Sequence, residues 1–154
     1  MKKEKGFTLM EMLIALSLIM TLSAAGLYGW RSWQQQQQLW QTARQVRDYL
    51  VVLRNDAWRN NRDHVVTLKL DGKRWCLLKT DMAECRADSA FVLIPQWGNI
   101  SITELTPALG FYGLRDTAWA GRVRLQSQAG EWLIVISSWG RTRMCNGKGE
   151  FACR

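Results

Sequence analysis

The chain has 154 residues, nine tryptophans, two prolines, four cysteines and one histidine, with a formal net charge of +8. A single histidine and cysteines spaced wider than Cys-x-x-Cys argue against the common zinc frameworks. No Gly-x-Ser-x-Gly, phosphate-cradling loop, metal-ligand cluster or carboxylate pair points to an enzyme, and no cofactor is called for. The basic balance fits an acidic partner, either anionic lipid or nucleic acid, or else plain solvated charge. Three of the cations, Lys2, Lys3 and Lys5, lie in the first five residues and say nothing about the rest.

The first element is a long apolar helix. From Phe7 to Trp30 the one charge is Glu11. That stretch makes roughly 36 Å of helix, enough to cross a hydrocarbon core of about 30 Å. The basic leader predicts a cytoplasmic N-terminus, with the remainder facing outward. Tyr28, Trp30 and Trp33 fall where an interfacial aromatic belt would lie. An acid so near the end of such a helix must snorkel or find a partner. An ordinary secretory signal is the competing reading, with small residues at Leu22-Ser23-Ala24-Ala25, but the apolar run outlasts a signal h-region.

The order Lys5-Gly6-Phe7-Thr8-Leu9-Met10-Glu11 resembles the type III signal of type IV prepilins and pseudopilins. The resemblance implies a cut by prepilin peptidase between Gly6 and Phe7, followed by N-methylation of Phe7. It also implies that Glu11, fifth in the mature chain, pairs with the Phe7 amine of an adjacent subunit.

Gln34 to Gln38 predicts a continuation of the helix into water. Leu39, Ala43, Val46, Leu50, Leu53 and Ala57 then recur at alternating spacings of four and three, an apolar stripe read as core packing. No Gly or Pro interrupts from Trp30 to Trp58, so a single helix from about Phe7 to Arg59 is expected. Asn60-Asn61-Arg62-Asp63 breaks it.

Strands are predicted next. His64 to Leu70 and Arg74 to Lys79 flank the hairpin signal Asp71-Gly72. A polar loop covers 80–89, a short strand Ala90 to Ile94, and a mostly irregular stretch Gly98 to Pro107 with a strand near Ile100–Ile102. Leu109 to Tyr112 is a further candidate. Arg122 to Gln126 alternates charged and apolar, Trp132 to Ile136 reads as a central strand, and Arg141 to Cys145 alternates again. On strands Arg122 and Arg124 share one face, and Arg141 and Arg143 share one face. Cys76, Cys85, Cys145 and Cys153 permit three connectivities. Two local bridges, Cys76–Cys85 and Cys145–Cys153, are expected in an oxidising compartment, the first restraining the 80–89 loop.

The later part is similar to GspH/FimT-type minor pilins and pseudopilins. The likeness rests on Phe111, Gly113, Gly121-Arg122-Val123-Arg124-Leu125, Gly130, Leu133-Ile134-Val135-Ile136-Ser137 and Gly140-Arg141-Thr142-Arg143. It implies an α+β fold, a long N-terminal helix whose second half packs on antiparallel sheet. The implied parts are a cleaved leader (1–6), a transmembrane and assembly segment (7–30), an amphipathic half-helix (31–59) and a periplasmic β-rich domain (60–154). The implied role is a minor subunit that starts or caps a type IV pilus. A GspH-type pseudopilin of type II secretion is the alternative. Partners would be prepilin peptidase, major and other minor pilins, the inner-membrane assembly platform and membrane lipid. Some FimT-like pilins bind DNA through Gly-Arg-x-Arg, which makes Arg141 and Arg143, with Arg122 and Arg124, candidate DNA contacts. The plainer account is a solvated sheet face whose arginine stems cover apolar neighbours.

Overall fold

The computed structural model describes residues 7–72, 74–86, 88–147 and 153. The chain divides into two compact units, Met1–Gln34 and Gln35–Arg154. Helix α1 (Leu9–Asn60) begins in the first and ends in the second. Among the described residues nine strands follow: β1 (His64–Asp71), β2 (Arg74–Lys79), β3 (Val92–Leu93), β4 (Ser101–Leu105), β5 (Gly110–Tyr112), β6 (Thr117–Trp119), β7 (Gly121–Ser127), β8 (Gly130–Ile136) and β9 (Thr142–Asn146). A 3-10 turn, Gly113–Arg115, lies between β5 and β6.

In the first unit the large apolar side chains from Phe7 to Trp33 are exposed. An 18-residue stretch of the helix reaches a mean hydropathy of 1.8 with none of it buried. By length and composition it can cross a membrane.

The second unit owes its core to the stripe. Leu39, Ala43, Val46, Leu50, Leu53 and Ala57 are all buried, in one cluster with Val66, Leu77, Leu109, Phe111, Val123, Leu125, Ile134 and Ile136. Two residues beside the stripe are buried as well. Thr42 returns its hydroxyl to the Gln38 carbonyl at 2.9 Å, and the Tyr49 hydroxyl donates to the Phe91 carbonyl at 3.0 Å. Asn61 ends the helix in the left-handed region (φ 47°), and the Arg62 N–H donates to the Ala57 carbonyl at 3.1 Å. That six-to-one bond is the Schellman closure, and Asn tolerates its left-handed position better than most residues.

The strands form two antiparallel sheets, ordered β3-β2-β1-β5-β6 and β4-β7-β8-β9. Among the described residues, two hydrogen bonds link segments of the two sheets. The Trp75 indole N–H on β2 donates to the Ile100 carbonyl, just before β4, at 2.7 Å. The Ala118 N–H on β6 donates to the Ser138 carbonyl, just after β8, at 2.8 Å. Disulfides link Cys76 to Cys85 (Cα–Cα 6.2 Å) and Cys145 to Cys153 (5.5 Å).

Beyond shifts at strand ends, such as β3 covering Val92–Leu93 rather than Ala90 to Ile94, three details differ from the sequence reading. β4 runs on to Leu105, because a bulge between Ile102 and Glu104 resets its register and hides the alternation. β6 is an additional strand, only three residues long, paired to β5. Arg141 precedes β9 rather than lying on it, because the Ser137–Arg141 turn holds it: the Ser137 N–H donates to the Arg141 carbonyl at 3.0 Å.

Candidate functional site

The N-terminal end of α1 is built around Thr8. Its Oγ1 accepts the Glu11 N–H at 3.3 Å, and its carbonyl accepts the N–H groups of Glu11 and Met12 at 3.1 and 3.2 Å. Thr8-Leu9-Met10-Glu11 has the Thr-x-x-Glu spacing of a capping box, with the threonine half formed. The Glu11 carboxylate lies in the first turn, where the helix dipole favours negative charge. Hydropathy and charge do not single out Thr8, whereas the capping spacing does. Phe7 is exposed, and Gly6 lies outside the described residues.

Further along, the hydroxyls of the apolar helix turn back on their own backbone. Ser17 donates to the Ile14 carbonyl at 2.8 Å, Thr21 to Leu18 at 2.9 Å and Ser23 to Ile19 at 2.7 Å. No hydroxyl among these needs water, as a helix in hydrocarbon requires.

Arg122, Arg124 and Arg143 lie on the four-stranded sheet, on the face away from the buried Val123 and Leu125. Register sets Arg122, Val135 and Arg143 in one cross-strand row, with Arg124, Leu133 and Cys145 in the next. Arg122 and Arg124 are committed to acids. Glu104 on β4 takes Arg122 Nε and Arg124 Nε, each at 3.2 Å, and Arg124 Nη1 reaches Glu131 at 3.2 Å. Hydrogen bonds to Glu131 and then Glu104 push the Arg124 guanidinium above its ordinary pKa. Arg141 and Arg143 are exposed and make no ion pair among the described residues. They line one depression of about 370 Å³ with Val135, Ser137, Trp139 and Cys153. Val135 and Cys153 also line a neighbouring depression with Arg122. The structure therefore sets Arg122, Arg124 and Arg143 on one sheet face, with Arg141 just before β9 in the same depression as Arg143, and neutralises Arg122 and Arg124.

The Gly-Arg-x-Arg segment has a structural basis of its own. Gly140 takes a positive φ of 70°, and its N–H donates to the Ser137 carbonyl at 2.8 Å. The Ser137 Oγ accepts the Arg141 N–H at 3.2 Å. A side chain at 140 would meet Arg54 as well as strain the backbone.

Residues 1–27 match the family model described as the prokaryotic N-terminal methylation motif. No curated protein matches the chain in sequence. Among solved structures, the chain is similar to the minor pseudopilin EpsH from the Type 2 Secretion System of Vibrio cholerae, with a TM-score of 0.51 at 14% identity. That likeness covers 73% of this chain and 99% of EpsH. The chain therefore joins an N-terminal methylation segment of the type IV prepilin kind to a domain with the minor-pseudopilin fold.

Proposed function

We propose that the chain is a minor pseudopilin of the GspH kind, a subunit of a type II secretion pseudopilus. Prepilin peptidase cuts between Gly6 and Phe7, and Phe7 is N-methylated. The helix holds the subunit in the inner membrane with its domain in the periplasm. Glu11 then takes the Phe7 amine of a neighbour during assembly on the inner-membrane platform. One conjunction carries this reading: the methylation motif leads into a domain whose fold spans almost the whole of a type 2 secretion minor pseudopilin. Deleting the gene should trap type II substrates in the periplasm and leave surface pili intact. Loss of pili with normal secretion would overturn the assignment. The purified mature chain should begin at N-methyl-Phe7, and a start near Ala25 would make it a secreted protein instead.

A second reading, a minor type IV pilin that contacts DNA near the filament tip, is supported by Arg141, Arg143 and Trp139 sharing one depression. Guanidinium groups suit phosphate, and an exposed indole offers a stacking face. A salt titration of DNA binding tests it. Arg141→Ala with Arg143→Ala should flatten the negative salt slope by about 1.4 to 1.8. No binding at low salt would end this reading.

A further inference from the structure

Helix α1 enters the second unit at Gln35 and ends at Asn60, roughly 39 Å further on at 1.5 Å per residue. The pole of the unit at the Asn60 end carries large apolar side chains in the open. Trp58 is 61% exposed, Leu114 85%, Trp119 56% and Trp139 72%. Local contacts gather them. Arg54 reaches Asp116 at 3.6 Å, and both line a depression of about 230 Å³ with Asn55 and Trp58. Arg54 also lies against Gly140, the neighbour of Trp139. The Ala118–Ser138 hydrogen bond joins the two segments that carry Trp119 and Trp139, each the next residue along. Leu114 belongs to the 3-10 turn, whose Gly113 lies against Ala57 and Asn61 at the end of α1.

Single exposed apolar residues need no explanation, but a cluster of this kind marks a contact surface. Trp and Arg are the residues that most often carry interface energy. The charges around the cluster are cationic. Arg59, Arg62, Arg115 and Arg141 are exposed and make no ion pair among the described residues. The acids beside them are engaged: Asp116 with Arg54, Asp56 with His64, and Asp63 with the Gly113 N–H at 3.2 Å.

We propose that this pole is a docking surface for an acidic protein segment bearing apolar anchors. Its carboxylates meet the four arginines while its apolar side chains cover Trp58, Leu114, Trp119 and Trp139. Charge complementarity selects this occupant. A second copy of the chain would set the same arginines against themselves. A lipid surface is set apart from this occupant by the crosslinking test below. A nucleic-acid backbone offers phosphates to the arginines but no apolar side chain to cover Leu114.

The test uses the full chain in cells that assemble it. Leu114→p-benzoylphenylalanine places a photo-crosslinker at the most exposed apolar position, and the peptide it captures is sequenced. The expected adduct is with a different protein, through a segment of net negative charge containing large apolar side chains. Arg62→Glu with Arg115→Glu should cut its yield about tenfold or more, and reversing the mapped acids to Lys should restore it. Both arginines are exposed, and near-UV circular dichroism checks that the fold persists. A neutral or basic captured segment overturns the proposal. So does an adduct with nucleic acid, lipid or a second copy. Yield unchanged by charge reversal, or no adduct from a correctly processed chain, overturns it too.

Discussion

The Nε2 of His64 lies 2.5 Å from Oδ2 of Asp56, joining the end of α1 to the first residue of β1. The imidazole is buried, and its Nδ1 has no partner among the described residues. The hydrogen bond from His64 holds the Asp56 carboxyl below its ordinary value of 3.8, against a smaller desolvation effect and with added help from Asn60. A folded-state pKa below the unfolded one gives stability that is present above the unfolded value and lost as pH falls through the folded value. Acid unfolding should therefore begin as pH drops below about 5. Asp56→Asn, which keeps an acceptor for His64, should flatten that limb. Asp56→Ala strands the imidazole and should cost about 1–3 kcal/mol in thermal or urea unfolding.

The proposed pairing of Glu11 with a neighbouring amine can be separated by substitution from a role in capping the helix. Glu11→Gln keeps a residue suited to the capping box but removes the charge. If the carboxylate recognises a neighbouring amine, Glu11→Gln should abolish assembly as fully as Glu11→Ala. Thr8→Val should instead weaken the start of the helix by about 1 kcal/mol and leave assembly reduced but present. Filament yield by shearing and immunoblot distinguishes these outcomes. Assembly by Glu11→Gln at the natural level would show that capping, not charge, is what the acid supplies.

Gly113 permits the closest approach between the 3-10 turn and α1. A Cβ there would sit 2.3 Å from the Ala57 carbonyl oxygen and 2.7 Å from the Asn61 Cα. Both are backbone atoms, so Gly113→Ala must shift the turn or the helix end. The expected cost is about 1–3 kcal/mol. Gly98→Ala has no neighbour within 4 Å and should stay within about 0.5 kcal/mol. Chemical denaturation of the two variants side by side checks the contrast.

Glu104 restrains two arginines at once. Glu104→Gln should release Arg122 and Arg124 Nε, leaving Arg124 with Glu131. If the arginine face contacts DNA, as the second reading proposes, affinity at low salt should rise and its salt slope steepen by about one contact. An unchanged slope would mean that Arg122 points no charge toward nucleic acid even when unpaired.

The helix was legible because its stripe keeps a strict period without Gly or Pro, and all six stripe residues are buried. The β1–β2 hairpin was legible for a local reason too, with Gly72 at a positive φ of 61° in the turn. Long-range pairing was not. Glu104 reaches Arg122 and Arg124 only because β4 pairs with β7, and no periodicity announces that partnership. β6 escaped notice because three residues carry too little pattern and its mate is set by the 3-10 turn. The arginine alternation was visible, but its neutralisation by Glu104 and Glu131 depends on register across three strands. The aromatic pole was invisible for the same reason: Trp58, Leu114, Trp119 and Trp139 are scattered in sequence and meet only in the fold.

The indole of Trp75 spans a seam. It belongs to β2 in one sheet and bonds to a carbonyl at the threshold of the other, in a site almost closed to solvent. Neither sheet can peel away alone without stranding that N–H in an apolar interior. Its proton should therefore exchange with solvent only when the whole unit opens, more slowly than any amide at the edge strands. One indole resonance would then time the breathing of two sheets together, and would show whether they ever part company.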